Sequence, residues 1–149
     1  MKEIYKYQVI EPESVLMLDA YCMNAFEKEI EYLKKIDIER LLAGFYENAG
    51  IASGKIRYGG WENSLIGGHT MGHFLTAVSQ AYANAACKKE DKELFFSKVK
   101  RIVDALAECQ KNTKGQPGFI FGATINDSEN VELQFDMVEQ SKTDIFKEA

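Results

Sequence analysis

An all-α fold is what this chain of 149 residues predicts. Apolar side chains recur at intervals of three and four along four separate stretches, the strict alternation that marks half-buried strands is missing, and most glycines fall between the stretches. From Ser14 to Ile36 the apolar positions Val15, Leu18, Cys22, Phe26, Ile30 and Leu33 are interleaved with Glu27, Lys28, Glu31, Lys34 and Lys35, which reads as one amphipathic helix entered after Pro12. Asp37 is placed to accept from the freed amides of a second helix beginning near Ile38, with Leu41, Leu42 and Phe45 inward and Gly50 as its stop. Between Gly50 and Gly68 the period is lost and Gly54, Gly59, Gly60 and Gly67 accumulate, so this is a long loop of the kind that often carries function.

A third helix is expected from about Thr70 to Ala86. Its small residues Ala77, Ala81 and Ala85 let a neighbour approach closely, while Phe74, Val78 and Tyr82 fill space. The fourth runs from about Asp91, its expected N-cap, to Lys111, with Phe95, Val99, Ile102, Leu106 and Cys109 stepping by four, three, four and three. A short connection makes the third and fourth helices an antiparallel hairpin. After Gly115 the period fails; a short strand or turn is expected around Phe119 to Phe121, and DIFKEA at the end reads as the opening of a further helix capped by Thr143 or Asp144.

Composition narrows the function classes. Hydrophobic residues are 46% of the chain and charged residues 28%, the balance of a chain that folds rather than one that stays disordered. A net charge of −5 without a basic run removes the electrostatic footprint of a phosphate-backbone binder, so nucleic acid is not an expected partner. The opening MKEIYKYQVIEPES has no apolar signal core and no stretch nears the roughly 20 apolar residues of a membrane span; a cytoplasmic protein with no membrane partner is expected. Three cysteines, Cys22, Cys87 and Cys109, are an odd number that argues against a disulfide framework and for reduced thiols packed as small hydrophobes.

The densest concentration of chemistry is Tyr58-Gly59-Gly60-Trp61-Glu62 followed by Gly67-Gly68-His69-Thr70-Met71-Gly72-His73, which holds the single Trp and both His of the chain. With a helix starting near Thr70, His69 and His73 are four apart on one face of its first turn. Neutral imidazole both donates to and accepts from a hydroxyl, and a sugar presents paired hydroxyls together with a C–H face that packs on an aromatic ring such as Trp61 or Tyr58. Trp61, Glu62, His69 and His73 are therefore the candidate substrate-binding residues. Two other readings stand beside this one. The glycines and histidines could serve only turn chemistry and loop carbonyls, or the His pair could hold zinc with Glu62 as third ligand. For zinc the motif is incomplete: Thr70 stands where a zinc protease has its general-base Glu, and the chain has no third His. Phosphate-binding glycine loops, a nucleophile elbow and paired-cysteine zinc spacings are absent from the sequence.

The runs YGGWE, GGHTMGHFLTAVSQAYA and VDALAECQ, preceded by DIERLLAGFYENAGI, resemble the N-terminal part of β-L-arabinofuranosidase-type glycoside hydrolases, family 127, over about Val15 to Phe135. The resemblance implies a catalytic domain built as an (α/α)6 barrel of helical hairpins, of which this chain supplies the first members. It also implies removal of β-linked L-arabinofuranose with retention, by a cysteine nucleophile held near zinc by a glutamate and further cysteines. Those ligands lie later in such domains and include adjacent cysteines. No Cys-Cys pair occurs here, so no catalytic residue, metal ligand or cofactor is assigned to these 149 residues.

On that footing the chain is expected to be a single partial domain, truncated relative to the barrel and inactive alone, with an oligosaccharide as its ligand. Apolar helix faces left without their neighbours predict a homo-oligomer. The alternative, of a different class, is a non-catalytic helical binding or oligomerisation module.

Overall fold

A computed structural model describes residues 9–64, 67–113 and 118–123. Four helices follow one another, α1 (Ala20–Lys35), α2 (Ile38–Asn48), α3 (His69–Ala83) and α4 (Lys89–Asn112), with single 3-10 turns at Pro12–Ser14 and Gly60–Asn63. Among the described residues there is no strand, and the protein is all-α as expected; around Phe119 to Phe121 the backbone forms no strand. The helix opening expected near Thr143 and Asp144 lies outside the described residues.

The start of α1 departs from the helix expected from Ser14. Pro12 to Ser14 form their own 3-10 turn, which ends at Val15 in extended backbone, and the helix begins only where the Asp19 carboxylate accepts from the Cys22 amide at 2.9 Å. Val15, Leu18 and Cys22, expected to face inward, are exposed; the buried side of α1 is carried by Phe26, Ile30 and Leu33. A local side-chain cap outcompetes continuation of the apolar period, because the capped amides need partners that only Asp19 is placed to give. Cys22 is thus not the packed thiol expected, whereas Cys87 and Cys109 are buried, and burial pushes both thiols above the usual range.

Asp37 caps α2 as expected, accepting from Glu39 at 3.0 Å, and Gly50 turns the chain out of the helix in the left-handed region. Of the expected inward residues Leu41 and Leu42 are buried and Phe45 is only partly so, while Tyr46, Ala43 and Gly44, not among the expected ones, are buried. α3 and α4 form the predicted antiparallel hairpin: Tyr82 near the end of α3 meets Lys92 and Phe96 near the start of α4, while Phe74, two turns earlier, lies under Lys98. The link is tightened by Asn84, whose side chain accepts from the Ala86 amide. Phe95, Leu42, Ile102 and Val78 are the largest side chains wholly enclosed, so the core is shared by α2, α3 and α4. Ala85, expected on the third helix, is exposed beyond its end at Ala83, and Tyr82 lies against Phe96 and Lys92 but stays partly exposed rather than filling the core.

Asp91 is not the N-cap of α4. The helix begins two residues earlier without a side-chain cap, and Asp91 is buried in its first turn, paired with Lys34 of α1 at 2.9 Å. The hydrogen bonds that the Lys34 ammonium donates to the Glu31 and Asp91 carboxylates raise it above its ordinary value. A second tie joins the same helices: the Lys98 ammonium of α4 donates to the carbonyls of Leu33, Lys34 and Ile36 at 2.8–3.2 Å and so closes the C-terminus of α1. Burial pulls that ammonium below its ordinary range, but its favourable placement on a negative helix end holds the connection α1–α2 in position.

The segment 118–123 is fastened across α2 by two side chains. Asn48 donates to the carbonyls of Phe121 and Ala123, both at 2.8 Å, and Arg57 donates to that of Gly122 at 3.0 Å while pairing with Glu47. Close approach requires glycine here. A Cβ on Gly68, already at φ +92°, would stand 2.9 Å from the Gly122 Cα, and one on Gly122 would overlap the Phe45 ring. The entry to α3 is therefore wedged against a segment some fifty residues later in the chain. No helix among the described residues is long and apolar enough to cross a membrane.

Candidate functional site

The site grows from one carboxylate. Gly60, at φ +67°, starts the 3-10 turn that carries Trp61 and Glu62, and the turn folds the Glu62 side chain back onto the N-terminus of α3. There Oε2 accepts from the Gly68 amide at 3.0 Å, and Oε1 accepts from the Thr70 amide at 3.3 Å and from the Thr70 hydroxyl. Gly68 is the N-cap residue and has no side chain to offer, so Glu62 supplies the cap from outside the helix. An anion at a helix N-terminus is favourable on both counts, hydrogen bonding and dipole.

This clamp fixes what lies around it. His69 is the first residue of α3, its Nδ1 3.9 Å from Glu62 Oε1. The Trp61 ring stands 6.0 Å from the His69 ring at a 40° tilt, and the His69 ring meets that of His73 edge-on at 5.8 Å. All four residues singled out in the sequence are thus in one cluster, though not in one role. Trp61 is 70% exposed and His73 is exposed, while Glu62 keeps little contact with solvent because both its oxygens face the helix.

Beside the cluster, between α1, α2 and α3, lies an open cleft of about 330 Å³, within the roughly 300–1,000 Å³ of small-molecule sites. Glu62, Thr70 and His73 line it together with Tyr58, Phe74, Ala77, Leu41, Leu33, Ile36, Tyr32 and Glu29; Trp61 and His69 do not. Tyr58 is pinned there: its hydroxyl accepts from the Asp37 amide at 2.9 Å and the Arg40 guanidinium covers its ring at 4.0 Å. Thr70, Tyr32 and Glu29 were missed by the sequence reading. The one signal for Tyr32 was an aromatic residue out of phase with the apolar side of α1, and it is 59% exposed.

As a metal centre the arrangement does not fit. Among the described residues no three of His, Cys, Asp and Glu come together as ligands. The Glu62 oxygens that would complete the His pair face the start of α3, where they accept from Gly68 and Thr70, and Cys87 and Cys109 are buried in the core. The zinc that the resemblance implies for whole domains therefore finds no ligand set among the described residues, and no chemical step is derived through it.

What the cluster can do is hold a polyhydroxylated ligand: two imidazoles offer donors and acceptors, an exposed indole offers a stacking face, and the adjoining cleft offers an apolar wall. No curated protein matches the chain. Residues 14–143, nearly all of it, match the family described as "Beta-L-arabinofuranosidase, GH127 catalytic domain". A match of that extent, over helices that place Trp61, Glu62, His69 and His73 together, means that the chain belongs to the GH127 β-L-arabinofuranosidase catalytic-domain family of glycoside hydrolases.

Proposed function

We propose that this chain supplies the carbohydrate-binding part of a glycoside hydrolase that acts on β-L-arabinofuranosides or related plant-derived sugars, and that these residues bind the sugar without cleaving it. The observation that carries the reading is the Glu62 clamp, which gathers Trp61, His69 and His73 at the start of α3. Trp61 stacks on the C–H face of the furanose, and His69 and His73 exchange hydrogen bonds with its hydroxyls. Glu62 acts behind them by holding the helix end. In the complete catalytic domain α1 to α4 form the first hairpins of an (α/α)6 barrel, and the zinc and cysteine chemistry implied for such domains belongs to residues other than these. A second copy covers the exposed aromatic side of the α3–α4 hairpin when the chain is alone.

Trp61 is the only tryptophan, so its emission reports the site directly. Titration with methyl β-L-arabinofuranoside is expected to give a saturable change in emission that His73→Ala weakens by about tenfold, the loss of one good polar contact, with no release of L-arabinose. A response equal to that of glucose, or one untouched by the substitution, would overturn the assignment.

A further inference from the structure

Residues 118–123 reach the sugar cluster from behind, at a point where three backbones cross. The carbonyls of Phe121, Gly122 and Ala123 all accept from two side chains outside α3: Asn48, buried at the end of α2, holds the first and third at 2.8 Å, and Arg57, in the loop that follows, holds the second at 3.0 Å. Arg57 is itself fixed by the Glu47 carboxylate, which accepts from its Nε at 2.6 Å. The peptide held in this way runs through a gap that leaves no room for side chains. A Cβ on Gly44 would overlap the Gly122 carbonyl oxygen, and one on Gly122 would come within 2.5–2.9 Å of three atoms of the Phe45 ring. Gly44 lies inside α2, where glycine costs about 1 kcal/mol against alanine; the crossing is what requires it there.

The far wall of the gap is Gly68, whose Cβ would stand 2.9 Å from the Gly122 Cα. Gly68 is also the N-cap residue of α3, its amide held by Glu62, and the next residue is His69, whose ring meets both Trp61 and His73. Gly122 therefore cannot move toward Gly68 without pushing the residue that carries the central ring of the cluster.

We propose that Asn48 and Arg57 are positioning residues for the sugar site: by fixing Gly122 against Gly68 they set the geometry of His69 against Trp61, and through it the affinity for the sugar. The inference rests on the reading of Trp61, His69 and His73 as a sugar site. A group that only stabilises the fold changes the unfolding free energy and leaves the affinity of the folded protein as it was, whereas a group that orients binding residues changes that affinity too.

A paired substitution separates the two roles. Gly122→Ala pushes against the Phe45 ring, and Phe45→Leu removes the ring atoms it would meet. In the 149-residue chain, Gly122→Ala is expected to shift the Trp61 indole and His69 ring resonances of the free protein and to weaken methyl β-L-arabinofuranoside binding, read by Trp61 emission, about tenfold. Adding Phe45→Leu is expected to return resonances and affinity toward their original values while the urea midpoint falls further, because the core loses ring atoms. Should Gly122→Ala not fold, Arg57→Lys, which keeps the charge beside Glu47 and loses the forked donor, is expected to give the same shifts with about a threefold loss of affinity. Resonances that do not move, an affinity that stays level while they move, or a double variant whose affinity falls with its stability would overturn the proposal. The sugar reading fails separately: if the resonances move and return but the unsubstituted chain binds no glycoside, the positioning of His69 against Trp61 stands and the sugar site falls. If the glycoside binds all the chains equally and the resonances are unmoved, the sugar site stands and the positioning role falls.

Discussion

Glu62 is the residue on which the local geometry turns. Its type suggested a ligand-binding carboxylate or a metal ligand, and its two oxygens accept from the Gly68 and Thr70 amides and the Thr70 hydroxyl. Removing it leaves two amides at the entry of α3 without their anionic partner, whose worth at a helix N-terminus is about 1–2 kcal/mol. Glu62→Ala is accordingly expected to lower the unfolding free energy by about that amount in urea titrations, and Glu62→Gln, which keeps one acceptor oxygen, by less. A Gln variant as damaged as Ala would mean that the charge rather than the hydrogen bonds carries the cap. Spacing alone could reveal the His pair, because positions four apart on a helix share a face whatever surrounds them. It could not reveal where the Glu62 side chain points, because that depends on the left-handed Gly60 and the wedge of Gly68 against Gly122.

At the scale of elements, periodicity located the four helices of the described residues and Asp37 was legible as the cap of α2, since caps act within three residues of sequence. The boundaries that moved are those where a competing partner was available. Asp19 captured the start of α1, and Asp91, which looked like the cap of α4, was drawn inward to Lys34. Asp19 also makes α1 sensitive to acid. Its hydrogen bond from the Cys22 amide holds the carboxyl below its ordinary 3.8, and that from Lys34 likewise lowers Glu31. A depressed folded-state value contributes stability above the unfolded-state value, and that contribution is lost as pH falls through the folded one. Helicity by circular dichroism is thus expected to decline below about pH 3.8. In Asp19→Asn, which keeps an acceptor but cannot titrate, the acid decline should be shallower; an unchanged pH profile would exclude Asp19 as a contributor.

For the molecule as a whole, the α3–α4 hairpin leaves Tyr82, Phe96 and Val103 exposed, with Phe96 and Val103 seven residues apart on one face of α4 and Tyr82 against Phe96. Clustered exposed apolar groups favour association, so sedimentation is expected to show a concentration-dependent increase in mass. Phe96→Glu should weaken it by about tenfold or more, as for loss of an aromatic anchor at an interface. A mass that stays constant with concentration would remove self-association from the reading.

By itself the sequence determined the all-α class, the order and approximate extent of the helices, the antiparallel hairpin and the coincidence of Trp61, Glu62, His69 and His73. Each of these follows from periodicity or spacing, which operate within a few turns of chain. Only the tertiary structure decided that Glu62 is a clamp, that Asp91 is a buried ion-pair partner, that Lys98 closes α1 and that an apolar cleft adjoins His73. Those depend on which distant segments meet, as where residues 118–123 lie across Asn48 and Arg57. Such a meeting is settled by the packing of the core as a whole rather than by any local pattern.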